Sequence, residues 1–562
     1  MKQEQAMPDS DATPPTRSWG ALEPLREKTF RMIWSASLLS NFGQLVQGVG
    51  AAWQMTRLTS STGMVALVQT ALMLPLMLVA VPAGAIADMF DRRKIALVGL
   101  SFATLCAGAL TILSALGLTT PWVLLSFCSL IGAGVALYSP AWQASVIEQV
   151  EPKHLPAAIA LSSISYNIAR SFGPALGGMI VIAAGATAAF AVNALFYLPL
   201  IAAFFLWRRK HVASRLPPER MDRAIISGAR YSVHSPPIRT VMIRAFTFGL
   251  CSASTTALMP LIARDMLAGD ASSFGLLLGA NGVGAVGGAL LLGKAREHLQ
   301  TEHAVRLCAV VSGTMVLLLG FTRNLVLASA EITVVGAANM LLIALLNVGV
   351  QLSVPRWVTA RALTWFQSSL TGGIALGAVI WGRAAAHWGI GGALIASGAA
   401  LLTTPLIGLI FRMPQVALAE VEIIELGHEP EVGLAITARS GPIVIEVDYR
   451  VNPDDARQFY EVMQKLQRAR ARNGAFEWSL ARDIADPALW TERFNFPTWG
   501  DYLRQRTRFT QADRELQTLA DAFNAAAPGN RFRRRLERPF GSVRWRADTP
   551  DPHRGPISIY PP

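Results

Sequence analysis

Charged residues are scarce in this sequence of 562 residues. Asp, Glu, Lys and Arg together make up 15% of the chain, whereas soluble proteins carry about 25%. Hydrophobic residues make up 52% of it, with a mean hydropathy of +0.38, and they are gathered in long runs. This pattern argues against a soluble globular protein and predicts a chain that crosses a membrane many times as helices.

Cysteine is also rare, and the common catalytic motifs are missing. The four cysteines lie far apart inside apolar runs, so we expect neither a metal site nor a disulfide framework. They are Cys106, Cys128, Cys251 and Cys308. No P-loop, GxSxG or HExxH motif occurs. We therefore expect no metal, no cofactor, and an ion gradient rather than a nucleotide as the energy source.

The first 20 residues contain no apolar core, so a cleavable signal peptide is not expected. The net charge of +13 is compatible with nucleic-acid binding or with a membrane protein whose cytoplasmic loops are basic. The basic residues lie between apolar runs, which favours the second explanation. The expected partner is therefore a lipid bilayer and not nucleic acid.

Twelve apolar runs, each close to the ~20 residues that span a bilayer, predict an all-α polytopic membrane protein with twelve transmembrane helices. The runs cover residues 32–55, 65–87, 95–116, 122–147, 157–184, 187–207, 241–263, 274–292, 305–321, 325–354, 363–386 and 391–411. Six runs on each side of a basic connector, residues 208–239, predict two six-helix bundles at 29–207 and 240–412. Residues 1–28 are expected to form a disordered tail.

The loops between the runs alternate in charge. Basic residues occur in the loops at 91–94, 153–154, 208–210, 294–296 and 356–361, whereas those at 117–120, 185–187 and 387–390 are nearly uncharged. Because Lys and Arg stay on the cytoplasmic side, the first set of loops and both termini are predicted to be cytoplasmic. Residues 218–231 of the connector have the pattern of an amphipathic helix on the inner membrane surface.

The composition changes after residue 412. Residues 413–440 are interpreted as a linker, 441–545 as a soluble domain and 546–562 as a tail. Strands are predicted at 443–451, 476–482, 490–496 and 532–540, and helices at 452–472 and 498–523. The order strand, helix, strand, strand, helix, strand predicts a small α+β ferredoxin-like domain. It resembles the dimeric α/β-barrel modules of the antibiotic-biosynthesis-monooxygenase type.

The loop after the second run combines a glycine, two aspartates and a basic cluster, Gly84-Ala-Ile-Ala-Asp88-Met-Phe-Asp91-Arg92-Arg93-Lys94. It resembles the loop between helices two and three of the major facilitator superfamily and departs from that pattern at residues 89 and 91. The resemblance implies a conformational gate, in which charges and helix ends hold one state and release the other. Its residues are Gly84, Asp88, Asp91, Arg92 and Arg93. The alternative is a basic loop that only sets topology, with an aspartate cap.

A second motif lies in the fifth run, Gly173-Pro174-Ala-Leu-Gly177-Gly178. Proline permits a kink and the glycines permit close helix contact, which is also their plain packing role. The motif resembles the second half of the fifth-helix motif of antiporters in the same superfamily, which implies export. Arg170, one turn earlier, is predicted to lie mid-membrane, where a charge requires a cavity or a partner. We predict a role in substrate or proton electrostatics, or an anchor to backbone carbonyls.

Other polar residues within the runs are also candidates. Glu331 and Arg383 are predicted at similar depths of neighbouring helices, so we expect an ion pair that is either structural or carries the coupling proton. Uncharged amides at helical spacing suit a water-filled substrate cavity, with packing between helices as the alternative. They are Asn41, Gln44, Gln47, Asn347, Gln351 and Gln367.

Three local sequences, at residues 30–34, 87–93 and 354–361, resemble the enterobactin-exporter-like, transmembrane secretion effector branch of the superfamily. This resemblance covers residues 25–412. It implies export of a siderophore-like or drug-like compound across a bacterial inner membrane by proton antiport, without enzymatic activity.

One alternative is a membrane-tethered monooxygenase-like enzyme, whose pocket would be lined by Tyr449, Trp478, Trp490, Phe496 and Trp499. Core packing is the other interpretation of these aromatic residues. A further alternative is that the C-terminal domain is a module for homodimerisation or for sensing.

Overall fold

The computed structural model describes residues 20–151, 154–208, 234–355, 358–413, 436–525 and 532–537, with residues 230, 424, 430 and 432–434 between these ranges. Up to residue 413, the described residues form ten α-helices. They are α1 (Lys28–Leu58), α2 (Thr62–Met89), α3 (Arg92–Ala115), α4 (Pro121–Ser145), α5 (Leu155–Leu206), α6 (Pro236–Leu261), α7 (Ala271–His298), α8 (Thr301–Leu319), α9 (Leu325–Leu352) and α10 (Thr359–Ile410). The predicted surface helix at 218–231 lies outside the described residues, apart from Arg230.

Nine of these described helices are long and apolar enough to cross a membrane. The exception is α1, whose 31 residues include the amides Asn41, Gln44 and Gln47. Because amides need hydrogen-bond partners, we expect α1 to pack among the other helices rather than to face lipid.

Both α5 and α10 contain 52 residues. A straight helix of that length would extend ~78 Å, far beyond the ~30 Å of a hydrocarbon core. Each one is interrupted once, at Gly185 (φ 79°) and at Gly389 (φ 74°). Glycine tolerates positive φ because it has no Cβ, so each helix divides into two arms there. Both glycines fall in loops that the sequence predicts to be short and uncharged.

The C-terminal domain consists of a four-stranded antiparallel sheet and three helices in the described residues. The elements are β1 (Ile443–Arg450), α11 (Ala456–Arg472), β2 (Phe476–Arg482), β3 (Leu489–Phe496), α12 (Trp499–Arg506), α13 (Gln511–Ala522) and β4 (Phe532–Leu536). The strand order is β2-β3-β1-β4. The strand predictions are confirmed to within a residue or two over the described positions; residues 538–540 lie outside them.

The single helix predicted at 498–523 is wrong, because the chain forms α12 and α13 instead. The side chain of Thr510 accepts from Asp513 N (3.3 Å), and Asp513 accepts from Thr510 N (3.2 Å). This reciprocal capping box starts a new helix. Apolar periodicity continues across the break, which is why the pattern did not indicate it.

The core of this domain contains a buried ion pair. Glu492 is 0% exposed and accepts from Arg470 Nε (3.2 Å), Trp478 Nε1 (2.9 Å) and Tyr449 OH (3.3 Å). Burial is the largest influence and opposes the charge of Arg470, but Glu492, Tyr449 and Asp513 together outweigh burial and raise the pKa of the guanidinium. Of the aromatic residues considered for a pocket, Tyr449 and Phe496 are fully buried and the tryptophans pack against them. These aromatic residues therefore pack in the core of the domain.

Candidate functional site

The α2–α3 loop binds helix ends of the first half of the helical region, which consists of α1 to α5; the second half consists of α6 to α10. Asp91 caps α3, since its carboxylate accepts from the amides of Arg93 (2.9 Å) and Lys94 (3.4 Å). Arg92 Nη1 donates to Glu148 Oε1 (2.9 Å) and to the carbonyl oxygen of Ala144 (2.9 Å), at the end of α4. The structure therefore gives Asp91 the role of a helix cap.

Arg93 binds the C-terminal end of α5, which is the last helix of the first half. Its Nε donates to Phe204 O (2.9 Å) and its Nη2 to Phe205 O (2.6 Å). Those carbonyls lie at the C-terminal end of α5, where backbone oxygens lack helical partners and carry partial negative charge. Within the described residues, the basic pair therefore binds inside its own half.

Two other residues of the predicted gate behave differently. A Cβ placed on Gly84 would meet no described atom within 4 Å. Among the described atoms, no helix therefore packs closely against this glycine. The Asp88 backbone belongs to α2, but its side chain lies outside the described side chains.

A similar charge cluster lies in the second half, where the sequence pattern gave no aspartate. Arg306 donates to Glu302 Oε1 (2.6 Å) and to Gly408 O (3.0 Å), near the C-terminal end of α10. Glu302 also pairs with Arg244 of α6 at 2.5 Å and accepts from the amide of Met413 at 2.8 Å. The basic residues of the predicted loop, Lys294 and Arg296, lie outside this cluster and are exposed. The Glu302–Arg306 spacing of four residues was the available signal.

The fifth-run glycines lie at close helix contacts. An added Cβ would lie 2.9 Å from Leu45 at Gly173, 3.0 Å from Val49 at Gly177, and 2.6 Å from the Cα of Gly275 at Gly178. The first two contacts are with α1, in the same half, and the third is with α7, in the other half. Pro174 and Arg170 are half-buried between these contacts.

The two halves touch on the side of the molecule where α1 ends. Arg264, in the π-helical turn Ile262–Met266 that follows α6, donates to the carbonyl of Thr56 and pairs with Asp265 (2.5 Å). Trp53 stacks on Phe274 with ring centroids 5.6 Å apart. These contacts, which the sequence analysis did not identify, form one seam between the halves.

A second pair of bonds crosses the same seam from α2. Thr62 Oγ1 donates to Gly382 O (3.3 Å), and Thr70 Oγ1 donates to Ala375 O (2.9 Å). Each uses a hydroxyl of one half and a helical carbonyl of the other. Few polar bonds are therefore lost if the halves separate along this side.

The predicted amide stripes do not share one face. Gln44 Nε2 donates to Tyr138 OH of α4 (2.7 Å), whereas Gln47 is 1% exposed and accepts from Asn193 of α5. Three-residue steps rotate by about 60° on a helix of 100° per residue. Asn41, which is half-buried, and Gln47 therefore differ by about 120°. The cavity prediction is wrong for Gln47, which packs inside the first half.

The second-half amides are also separate from one another. Gln351 Nε2 donates to Asn347 Oδ1 along α9 at 2.6 Å, and Gln367 is exposed on α10. Tyr138 and Asn193 were missed because single polar residues in apolar runs give no periodic signal.

Glu331 and Arg383 are not brought together. Glu331 is 7% exposed and accepts from Thr322 Oγ1 (2.9 Å), while Arg383 is exposed on α10. The predicted ion pair is therefore not found among the described residues. The neighbouring positions explain this: Trp381 donates to Leu250 O of α6 (2.8 Å) and Gly382 packs on Ala66 of α2, which turns Arg383 away from α9. Glu331 remains a buried carboxyl with one unpartnered oxygen.

Comparison with known proteins places this arrangement in a family. A family model described as "Transmembrane secretion effector" matches residues 19–540, well beyond residue 412 and through the sheet domain. The "Uncharacterized MFS-type transporter YfiS" of Bacillus subtilis (strain 168) is 26% identical over 348 residues, which are 60% of this chain and 82% of that protein. The "Staphyloferrin A transporter" of Staphylococcus aureus (strain NCTC 8325 / PS 47) is 24% identical over 314 residues, 54% of this chain and 77% of that one.

A solved structure has the same fold. It is a bacterial homolog of the human lysosomal transporter Spinster, in an inward-facing and unoccupied conformation, with a TM-score of 0.53 and 14% identity. The match covers 69% of this chain and 96% of that one. The Bacillus subtilis and Staphylococcus aureus relatives are both named as transporters rather than enzymes. With its family model matching most of its length, this multi-pass membrane protein belongs to the transmembrane secretion effector family of major facilitator transporters.

Proposed function

We propose that this chain is a secondary active transporter that exports a small, siderophore-like or drug-like organic compound across a bacterial inner membrane. It works by alternating access and proton antiport, with twelve transmembrane helices in two six-helix bundles and both termini in the cytoplasm. The glycine breaks in α5 and α10 support the helix count, since each divides 52 residues into two membrane-length arms. The basic loops at 91–94 and 294–296 support the orientation.

One observation carries the transport mechanism. The charge clusters at Arg93 and Arg306 each bind within one half, whereas the halves meet at the seam formed by Arg264, Trp53 and Gly178. Each half is therefore tied internally by charged contacts, whereas the described contacts between the halves, apart from the bond of Arg264 to Thr56, involve hydroxyls, aromatic rings and glycines. Two rigid bundles joined in this way suit rocking about a site between them.

Export and proton coupling rest on two further features. The Gly173–Gly178 segment, which resembles an antiporter motif, forms the contact of α5 with α7 across the two halves. Glu331, buried with one unpartnered oxygen, has the setting of a group that binds a proton, because an ionised carboxylate is costly there. The name of the Staphylococcus aureus relative supports a siderophore-like substrate.

The C-terminal domain is proposed to be a ferredoxin-like sensing or coupling module. Its strand order β2-β3-β1-β4, with a helix after β1 and helices after β3, supports that fold. Arg230 of the connector donates to Gly474 O (3.0 Å), so the domain contacts the segment between the bundles. Homodimerisation is the second candidate; the sheet face with Arg533–Asp448 (2.8 Å) and Arg535–Glu446 (3.1 Å) would make that interface polar.

The test is a comparison of metabolites in medium and cells with and without this protein, repeated with a proton uncoupler. We expect a set of compounds that leaves the cells only when the protein is present, and that stays inside when the uncoupler is added. Equal compositions of medium with and without the protein would refute export. Export that the uncoupler leaves unchanged would refute proton antiport alone.

A further inference from the structure

Arg170 is the residue that the transport proposal leaves unexplained. It lies midway along the first arm of α5, about 22 Å of helix from Leu155 and from Gly185. Its side chain is half-buried, and it makes no hydrogen bond, ion pair or ring contact with the described residues. A charge at the middle of a membrane span costs several kcal/mol unless it faces a cavity or a partner. The alternative role, an anchor to backbone carbonyls, is therefore not found within the part of the chain that the structure describes.

The direction of Arg170 follows from its glycine neighbours. At 100° per residue, Arg170 is about 60° from Gly173 and about 80° from Gly178 around α5. Gly173 packs on α1 of the first half, and Gly178 packs on α7 of the second half. Arg170 therefore projects into the space bounded by the two halves rather than into lipid.

The depth of Arg170 follows from the pairing of α1 with α5. Trp34 Nε1 donates to Leu161 O (2.8 Å), and Gly173 packs on Leu45. Both contacts give nearly the same offset, so Arg170 lies level with the segment of α1 that contains Asn41 and Gln44. Gln44 in turn donates to Tyr138 OH (2.7 Å), which brings α4 to this depth. A cation, two amides and a phenol thus lie at one level of α5, α1 and α4.

We infer that Arg170 is the binding site for a carboxylate group of the transported compound. A guanidinium binds a carboxylate with two parallel hydrogen bonds, and a desolvated site strengthens that pair. One unpartnered cation balances one carboxylate, whereas a phosphate monoester would bring a charge of about −1.5 to −2. The inference rests on the proposed transport function, because it assigns a substrate class to the space between the same two halves.

The first measurement uses the full-length protein without ligand. Because an unpaired cation midway along a membrane span is destabilising, Arg170→Gln should raise the melting temperature of the detergent-purified protein, by about 3 °C. Arg239→Gln, which removes an exposed arginine at the start of α6, should leave it unchanged. A melting temperature lowered by Arg170→Gln would mean that Arg170 is a structural anchor and would overturn the inference.

The second measurement adds probes in matched pairs: succinate, benzoate and 2-hydroxybenzoate, each against its primary amide. At least one acid should raise the melting temperature of the wild type more than its amide does. That shift should vanish in Arg170→Gln, persist in part in Arg170→Lys and stay whole in Arg239→Gln. Equal shifts for acid and amide, an undiminished shift in Arg170→Gln, or no shift with any acid would each overturn the inference.

Failure of this inference can be told apart from failure of the transport proposal. If compounds leave the cells in a protein-dependent way but no acid binds at Arg170, transport stands and the carboxylate site falls. If acids bind through Arg170 but no compound leaves the cells, the site stands and export falls.

Discussion

Arg93 and Arg306 make the same connection in the two halves of this protein. Each lies near the start of the third helix of its half and donates to backbone carbonyls near the end of that half's last helix, at Phe204 and Gly408. Only the carboxylates differ: Glu148 pairs with neighbouring Arg92, whereas Glu302 pairs with Arg306 itself. The two halves therefore share a bonding pattern, although their sequences show little repetition.

Replacing either arginine by alanine should destabilise the protein. Each change removes charge-assisted bonds to helix-end carbonyls, with a cost of about 1–2 kcal/mol, and the two sites share no partner. The effects of Arg93→Ala and Arg306→Ala on thermal unfolding should therefore add in the double variant. Arg296→Ala, at an exposed position of α7, is the matched control. A double variant no worse than either single one would show that the connections are not independent.

Gly178→Ala should disturb the seam between the halves. The new methyl group would lie 2.6 Å from the Cα of Gly275, a distance that forces α5 and α7 apart. We expect a lower melting temperature and reduced transport. Gly287→Ala on α7, where a Cβ would meet no atom within 4 Å, should leave stability unchanged or raise it slightly. If both alanines behave alike, the contact has no role in holding the halves together.

Asp88→Asn should reduce transport more than Lys294→Gln or Arg296→Gln. The predicted loop at 294–296 of the second half lacks a matching aspartate, and its basic residues are exposed, so the predicted conformational gate depends on Asp88. Initial export rates at equal surface expression provide the measurement. Similar losses of export rate in all three variants would refute the conformational gate and leave a loop that only sets topology.

Glu331→Gln should separate transport from its energy source. A glutamine can accept the Thr322 bond but cannot bind and release a proton. We expect exchange of labelled substrate between the two sides to persist, while accumulation driven by a pH gradient is lost. Glu297→Gln, at an exposed position, should preserve both. Gradient-driven accumulation that survives Glu331→Gln would assign Glu331 to structure.

Glu492→Gln should unfold or loosen the sheet domain. Glu492 is 0% exposed and Arg470 is 7% exposed, so the change leaves a buried guanidinium without its counter-charge, at a cost of about 3–5 kcal/mol. Glu461→Gln breaks an exposed pair with Arg457 (3.8 Å) and should cost less than about 0.5 kcal/mol. Limited proteolysis of the full-length protein at 436–537 reports the difference; equal resistance of both variants would contradict a structural role for the buried pair.

The elements were more predictable than the contacts between them. Gly185 and Gly389 lie in loops that the sequence marks clearly, because apolar runs end there and glycine is needed where φ is positive. The break at Thr510 was missed, since a capping box inside a continuous amphipathic pattern leaves the periodicity intact. The strand β2 was located to the residue because its alternation is strong over Phe476–Arg482.

Site geometry depended on helix rotation, which the sequence does not reveal. Gln47 has the spacing of a cavity residue but rotates toward Asn193, and Arg383 has the depth of a partner for Glu331 but rotates away from it. Arg170 is the opposite case: its position was clear from the sequence, and its lack of a partner required the structure.

The bond from the Met413 amide to Glu302 has a mechanical consequence. It fixes the residue at which the chain leaves the second bundle to the cluster of Arg244 and Arg306, which moves with that bundle. Arg230 of the connector forms a separate bond to the sheet domain, at the carbonyl oxygen of Gly474. Any change in the position of the cluster of Arg244 and Arg306 would therefore move the attachment point at Met413 with it.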